Sequence, residues 1–261
     1  MLDHLDNYPN LKVLLKDFCE KLENLPNHRN SWLYKALNSS ERKTLEFLEK
    51  LDDTGKEIIH AGQSDVLKTK FAAILDGASK YEINYELKKP NHDYRFLDVV
   101  AEIISFKYLS EKGCENIEFI PQFSEKTPDL KASKSGKIIL MECKNCHSSN
   151  EEMQDIKSRL IKAKDVKISD ALIKKLRDKI CDGRKQLNEY EGQQLSIVPG
   201  DPCQKIIFLQ ITFDSSTMVD FDSDMREEMK QILNTEKQLL RQENISLVII
   251  SNYKIEQPFI D

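Results

Sequence analysis

Glycine and proline are scarce in this chain, eight of each in 261 residues. So few breakers exclude a collagen-like or low-complexity chain and point to long regular elements joined by plain loops. No apolar run approaches the roughly 20 residues that a membrane-crossing helix needs. The N-terminus, MLDHLDNYPNLKVLLKDF, has acidic residues where a secretory leader carries a positive patch, and no apolar core adjoins it. The expected setting is intracellular, most simply cytoplasmic, with no membrane partner. No phosphate-cradling Walker loop and no G-x-S-x-G elbow is present. The five histidines, His4, His28, His60, His92 and His147, form no close pair. The single tryptophan, Trp32, is expected in a core rather than as a base-stacking platform.

What the chain has in quantity is charge. Charged residues make up 32% and hydrophobic ones 39%, a folded globular balance with a heavily charged surface. The net charge of −5 excludes a polypeptide that is basic throughout. From Lys157 to Lys185, however, eleven Lys or Arg face four Asp. That local charge of +7 leaves −12 on the remainder. A basic segment on an acidic body suits a phosphate-facing surface, but charge alone favours a solvated lysine-rich helix face.

Six cysteines are scattered along the chain and read as free thiols in a reducing compartment. Cys143 to His147 spells C-x-x-C-H, the pattern of covalent haem attachment. That chemistry belongs to exported proteins. A zinc site would need a second pair of ligands at matching spacing, and Cys181 and Cys203 stand alone. A thioredoxin-like pair would sit at a helix N-terminus, not at a strand end.

Apolar periodicity divides the chain near Lys88-Lys89-Pro90-Asn91, where proline disfavours helix before it. Residues 1–90 read as helical, with stripes such as Leu11, Leu14, Leu15, Phe18, Leu22 and Leu25. They are offered as a homodimer interface, a substrate selector or a regulator. Residues 91–261 read as a second domain with a different rhythm. A helix over 93–112 stops at Gly113, and NIEFIPQF is a short strand. DLKAS and KIILMECKN flank a Lys134-Ser135-Gly136 turn and form a hairpin. A long helix capped by Ser169 follows, then strand, helix and final strand. The order αβββαβαβ predicts an α/β fold with a mixed sheet flanked by helices.

The chemistry concentrates at the hairpin. Ile138-Ile139-Leu140-Met141 is apolar at consecutive positions, so both faces of that strand are covered and it lies centrally. Glu142 and Lys144, two apart, share a face, while Cys143 points to the other. Asp129, following Pro128, starts the partner strand and can reach the neighbourhood of Glu142. Two convergent carboxylates suit a hard divalent cation. A nearby ammonium can stabilise charge developing on a phosphate.

Pro128-Asp129, twelve residues and then Glu142-Cys143-Lys144 resembles the PD-(D/E)xK nuclease superfamily, the restriction-endonuclease-like fold. AEIISFKYLSEKG, with Glu102, Phe106, Leu109 and Gly113, is similar to the helix that often opens that core. GRKQL offers Gln186 in the helix after the E-x-K strand. The resemblance covers residues 93–253. It implies a Mg²⁺- or Mn²⁺-dependent phosphodiesterase acting on nucleic acid, DNA before RNA. Asp129 and Glu142 would hold the metal, with the Cys143 carbonyl contributing. Lys144 would be the catalytic lysine, and Glu102 would approach the metal directly or through water. Gln186 and Lys179 would face the substrate. Glu102 also fits a solvent-facing helix residue paired with a lysine, with Asp98 one turn earlier as a substitute. Gln186 by itself reads first as an ordinary exposed polar residue. A silent nuclease fold that only binds nucleic acid, or serves as a scaffold, is the alternative.

Overall fold

The computed structural model describes residues 1–25, 28–76, 91–121, 127–147, 170–194, 203–212 and 223–251. The chain forms two compact units. The first comprises Met1–Lys112 with Asn116–Phe119, the second Gly113–Glu115 with Ile120–Asp261. The division expected at Lys88–Pro90 lies outside the described residues.

The first unit is built from α1 (Pro9–Glu23), α2 (Trp32–Leu37), α3 (Arg42–His60), α4 (Ser64–Asp76) and α5 (Asn91–Glu111). Proline at the start of α1 costs nothing, because the first amides of a helix have no internal acceptor. Asp52 of α3 satisfies the next ones. Its Oδ1 accepts from the Asn10 and Leu11 amides, each at 2.8 Å, and Oδ2 accepts from Asn10 Nδ2 at 2.8 Å. Ser31 caps α2 by accepting the Tyr34 amide at 3.2 Å. Of the predicted α1 stripe, Leu11, Leu14, Leu15, Phe18 and Leu22 are buried, while Leu25 lies past the end of the helix and is half-buried. Phe18, Phe71 and Phe96 pack ring against ring. Trp32 joins them, 5.8 Å from Phe96 and 5.9 Å from Phe47. α5 stops before Gly113, whose φ of +71° a side chain rarely adopts.

The remaining elements are β1 (Glu115–Phe119), β2 (Leu130–Lys134), β3 (Lys137–His147), α6 (Asp170–Gln194), β4 (Cys203–Thr212), α7 (Ser223–Gln242) and β5 (Ile245–Ser251). The strands form one sheet in the order β1-β2-β3-β4-β5. β2 and β3 are antiparallel, joined by a tight turn with Ser135 and Gly136 both at positive φ. β3–β4 and β4–β5 are parallel, so α6 and α7 are crossover helices. From α5 onward the order is the αβββαβαβ that the sequence predicts, and the sheet is mixed. Ser169 and the basic stretch 157–169 lie outside the described residues.

One face of the sheet carries the core of the second unit. Ile138, Leu140 and Cys146 of β3 meet Ile207, Leu209 and Ile211 of β4, covered by α6 and α7. Gly183 lets α6 come close. A Cβ there would stand 3.4 Å from the Ile207 side chain.

Candidate active site

β3 lies between β2 and β4, so its side chains enter packed layers on either side. The even-numbered ones point to α6, which explains Leu140 and Cys146 in the core. Glu142 and Lys144 have the same parity and enter the same layer. Glu142 is buried, and a buried carboxylate is costly unless paired. Lys144 Nζ lies 2.5 Å from Glu142 Oε1. The same ammonium donates to Gln186 Oε1 at 3.3 Å.

The hairpin brings in the second carboxylate. Leu130 pairs with Met141, so Asp129 stands at the level of Glu142 on the adjoining strand. The Asp129 amide donates to the Met141 carbonyl at 3.0 Å. Its buried Oδ2 accepts the Cys143 amide at 2.8 Å. Asp129 is thus bonded to the peptide that follows Glu142.

Gln186 closes the group from above. Its Nε2 donates to the Thr127 carbonyl at 2.6 Å while Oε1 receives Lys144. One amide side chain therefore spans the entry to Pro128-Asp129 and the ammonium on β3. Gly183, one turn earlier, sets α6 close enough for that reach. The opposite edge of α6 is held by Glu243, which accepts Arg184 Nε at 2.8 Å and Asn188 Nδ2 at 2.9 Å. Those bonds, the Arg184 guanidinium first, hold the Glu243 carboxyl down at about 2. Lys179 lies two turns before Gln186, half-buried.

The ammonium of Lys144 is held above the usual lysine range. Burial alone would pull it down. The Glu142 carboxylate beside it outweighs burial, with Asp129 and Asp182 adding to the effect. Lys144 therefore stays a proton-bearing cation at neutral pH. Asp182 and the Thr127 carbonyl are the members of this site that the sequence did not single out. Asp182's signal was its place four residues before Gln186, one helical turn away.

The structure brings Asp129, Glu142, Lys144, Gln186 and the Cys143 amide together. Glu102 belongs to the first unit, where it is buried and its Oε2 lies 2.5 Å from Lys70 Nζ on α4. Among the described residues no group of three or more His, Cys, Asp or Glu side chains is arranged to hold a metal. Two carboxylates on adjoining strands still fit Mg²⁺, which binds through one or two carboxylates and keeps waters and substrate oxygens as its other partners. Cys143 is half-buried and Cys146 fully buried, three apart on a strand and so on opposite faces. That geometry excludes both thiols grasping one haem edge. All six cysteines are free thiols. Compared with models of known families, with characterised proteins and with solved structures, the chain matches none. No described helix is long and apolar enough to cross a membrane.

Proposed function

We propose that the chain is a metal-dependent nuclease of the PD-(D/E)xK, restriction-endonuclease-like kind, hydrolysing phosphodiester bonds within DNA in preference to RNA. One observation carries this reading: Asp129, Glu142 and Lys144 converge from two paired strands, with Asp129 bonded to the Cys143 amide and Lys144 to Glu142. Asp129 and Glu142 would hold Mg²⁺ or Mn²⁺, with the Cys143 carbonyl as a third oxygen. When bound, such an ion polarises a phosphate and lowers the pKa of a coordinated water.

The chain's own residues do the rest. Lys144, kept protonated, donates to a phosphate oxygen as charge builds on it, and does not act as a base at neutral pH. Gln186 fixes that ammonium and holds the segment that delivers Asp129. A role in restriction, in a mobile element or in antiphage defence rests on analogy alone.

A second reading has its own observation. The close Lys144–Glu142 pair already neutralises one of the two carboxylates. A protein that binds nucleic acid or serves as a scaffold, without turnover, would keep such a pair permanently.

The two readings separate on a panel of plasmid, linear DNA and RNA incubated with Mg²⁺ or Mn²⁺ and then with EDTA. Metal-dependent cleavage that stops in Asp129→Ala and Lys144→Ala supports the nuclease. Binding without cleavage under every metal supports the silent form. Cleavage that survives either substitution removes the assignment of the site.

A further inference from the structure

The two sides of α6 are tied to different parts of the second unit. On one side Gln186 joins the Thr127 carbonyl and Lys144. Arg184 and Asn188 stand two residues before it and two after, about 200° round a helix that turns every 3.6 residues. Both end on one carboxylate. Glu243 accepts Arg184 Nε at 2.8 Å and Asn188 Nδ2 at 2.9 Å. Lys205 Nζ of β4 donates to Asn188 Oδ1 at 2.8 Å, which turns that amide so that its nitrogen meets Glu243.

Glu243 is itself a fixed point. It lies in the turn between α7 and β5. Its neighbour Asn244, at a φ of +57°, donates through Nδ2 to the Cys203 carbonyl at 2.6 Å. The Lys205 amide donates to the Asn244 carbonyl at 3.3 Å. The turn is thus pinned to the first residues of β4. Lys205 is four residues before Leu209, the partner of Lys144 across the ladder, or about 13 Å along the strand. The clasp therefore reaches the hydrolytic centre through α6 rather than by contact.

Alignment of α6 matters there. Where the helix comes close to β4 it offers Gly183, with no side chain to interlock with Ile207, so this contact sets distance and not rotation. A side-chain atom lies about 5–6 Å from a helix axis, and a roll of about 10° moves it about 1 Å. That is enough to break the 3.3 Å contact between Gln186 and Lys144. We infer, resting on the nuclease reading of the site, that Glu243 is a positioning residue for Lys144: its grip on Arg184 and Asn188 sets the rotation of α6, and Gln186 carries that setting to the ammonium. The Arg184–Glu243 pair lies partly in solvent, so its loss should cost the fold little and the alignment more.

The test reads the Gln186 side-chain amide by NMR in the metal-free protein, and single-turnover plasmid nicking in Mn²⁺. In Glu243→Ala the Gln186 Nε2 protons should move to the shifts of an exposed glutamine, while the backbone shifts of β3 hold. Nicking should slow about tenfold, less than the roughly hundredfold of a 1 Å misplacement, because Lys144 keeps its contact with Glu142. Duplex affinity should change by less than about twofold. In a Gln186→Ala background the same substitution should slow nicking no further. Glu243→Gln keeps an acceptor for both donors and should restore most of the rate. Arg184→Met, which leaves the turn's own bonds in place, should act in the same direction as Glu243→Ala. Glu189→Ala breaks the Lys185–Glu189 pair internal to α6 and should change neither reading. A Gln186 signal unmoved in both Glu243→Ala and Arg184→Met, the same movement in Glu189→Ala, or rate losses that add in the double variant would overturn the clasp. A wild type that never nicks DNA, with the Gln186 signal moving as expected, would strike the nuclease reading alone. Metal-dependent nicking by the wild type, with that signal unmoved in the variants, would strike the clasp alone.

Discussion

Replacing Lys144 with methionine should destabilise the second unit by an amount that depends steeply on pH. The ammonium lies 2.5 Å from Glu142 Oε1, and the two side chains are 18% and 3% exposed. Removing it leaves a buried carboxylate without its counter-ion, a change that costs about 3–5 kcal/mol. The carboxylate can escape by taking a proton. From an ordinary value near 4.3, that costs about 3.7 kcal/mol at pH 7, at 1.36 kcal/mol per unit. The penalty is therefore capped near 3.7 kcal/mol at pH 7 and falls to about 1 kcal/mol at pH 5. In the wild type the sign is different. The raised Lys144 value means its contribution is complete below the ordinary lysine range near 10.4 and is lost only as pH rises through the higher folded value. The wild type should thus show no matching change between pH 5 and 7. Amide hydrogen exchange across β3 is the suitable assay, because the single Trp32 reports on the first unit. Glu142→Gln combined with Lys144→Met should recover most of the loss. A penalty in Lys144→Met that is the same at pH 5 and pH 7 would refute the reasoning.

Gln186→Ala removes the 2.6 Å bond to Thr127 and the contact with Lys144, so the opening free energy read from β3 exchange should fall by about 1 kcal/mol. Single-turnover cleavage should slow by a larger factor than duplex binding weakens, since the residue positions Lys144 rather than gripping the strand. Asp52→Ala breaks three 2.8 Å bonds to the start of α1. Hydrogen bonds to a charged group contribute about 1.5–3 kcal/mol each, so loss of several should lower the urea midpoint of Trp32 fluorescence markedly. The Arg184–Glu243 pair should persist in mild acid. The depressed Glu243 value means its contribution is present above the ordinary carboxylate range and fades as pH falls toward 2, which chemical-shift titration of that carboxyl can follow.

The architecture of the second unit was legible because its signals are local. Four consecutive apolar residues marked β3 as central, and Ser135-Gly136 supplied the two positive-φ positions a tight hairpin requires. Once the hairpin was set, the parity of Glu142 and Lys144 and the return of Asp129 followed from strand geometry. Glu102 was less legible. Its partner Lys70 is 32 residues away on another helix, and an ion pair across that separation leaves no periodic trace. Asp52 was missed for a similar reason, since it caps a helix 42 residues upstream. Thr127 acts through its carbonyl, which any residue type supplies. Asp182 looked like one more charge in a basic run until α6 placed it near Lys144.

The most direct measurement is the single-turnover rate of plasmid nicking by the wild type and by Asp129→Asn, each with Mn²⁺ and with EDTA. Removing one preorganised group from a charge-stabilising site slows such reactions by about 10²–10³-fold. The predicted result is nicking by the wild type that requires Mn²⁺ and falls by at least that factor in Asp129→Asn, with the fold of the variant intact by circular dichroism. Nicking that continues in EDTA, or at the wild-type rate in Asp129→Asn, would contradict a hydrolytic centre built on Asp129, Glu142 and Lys144.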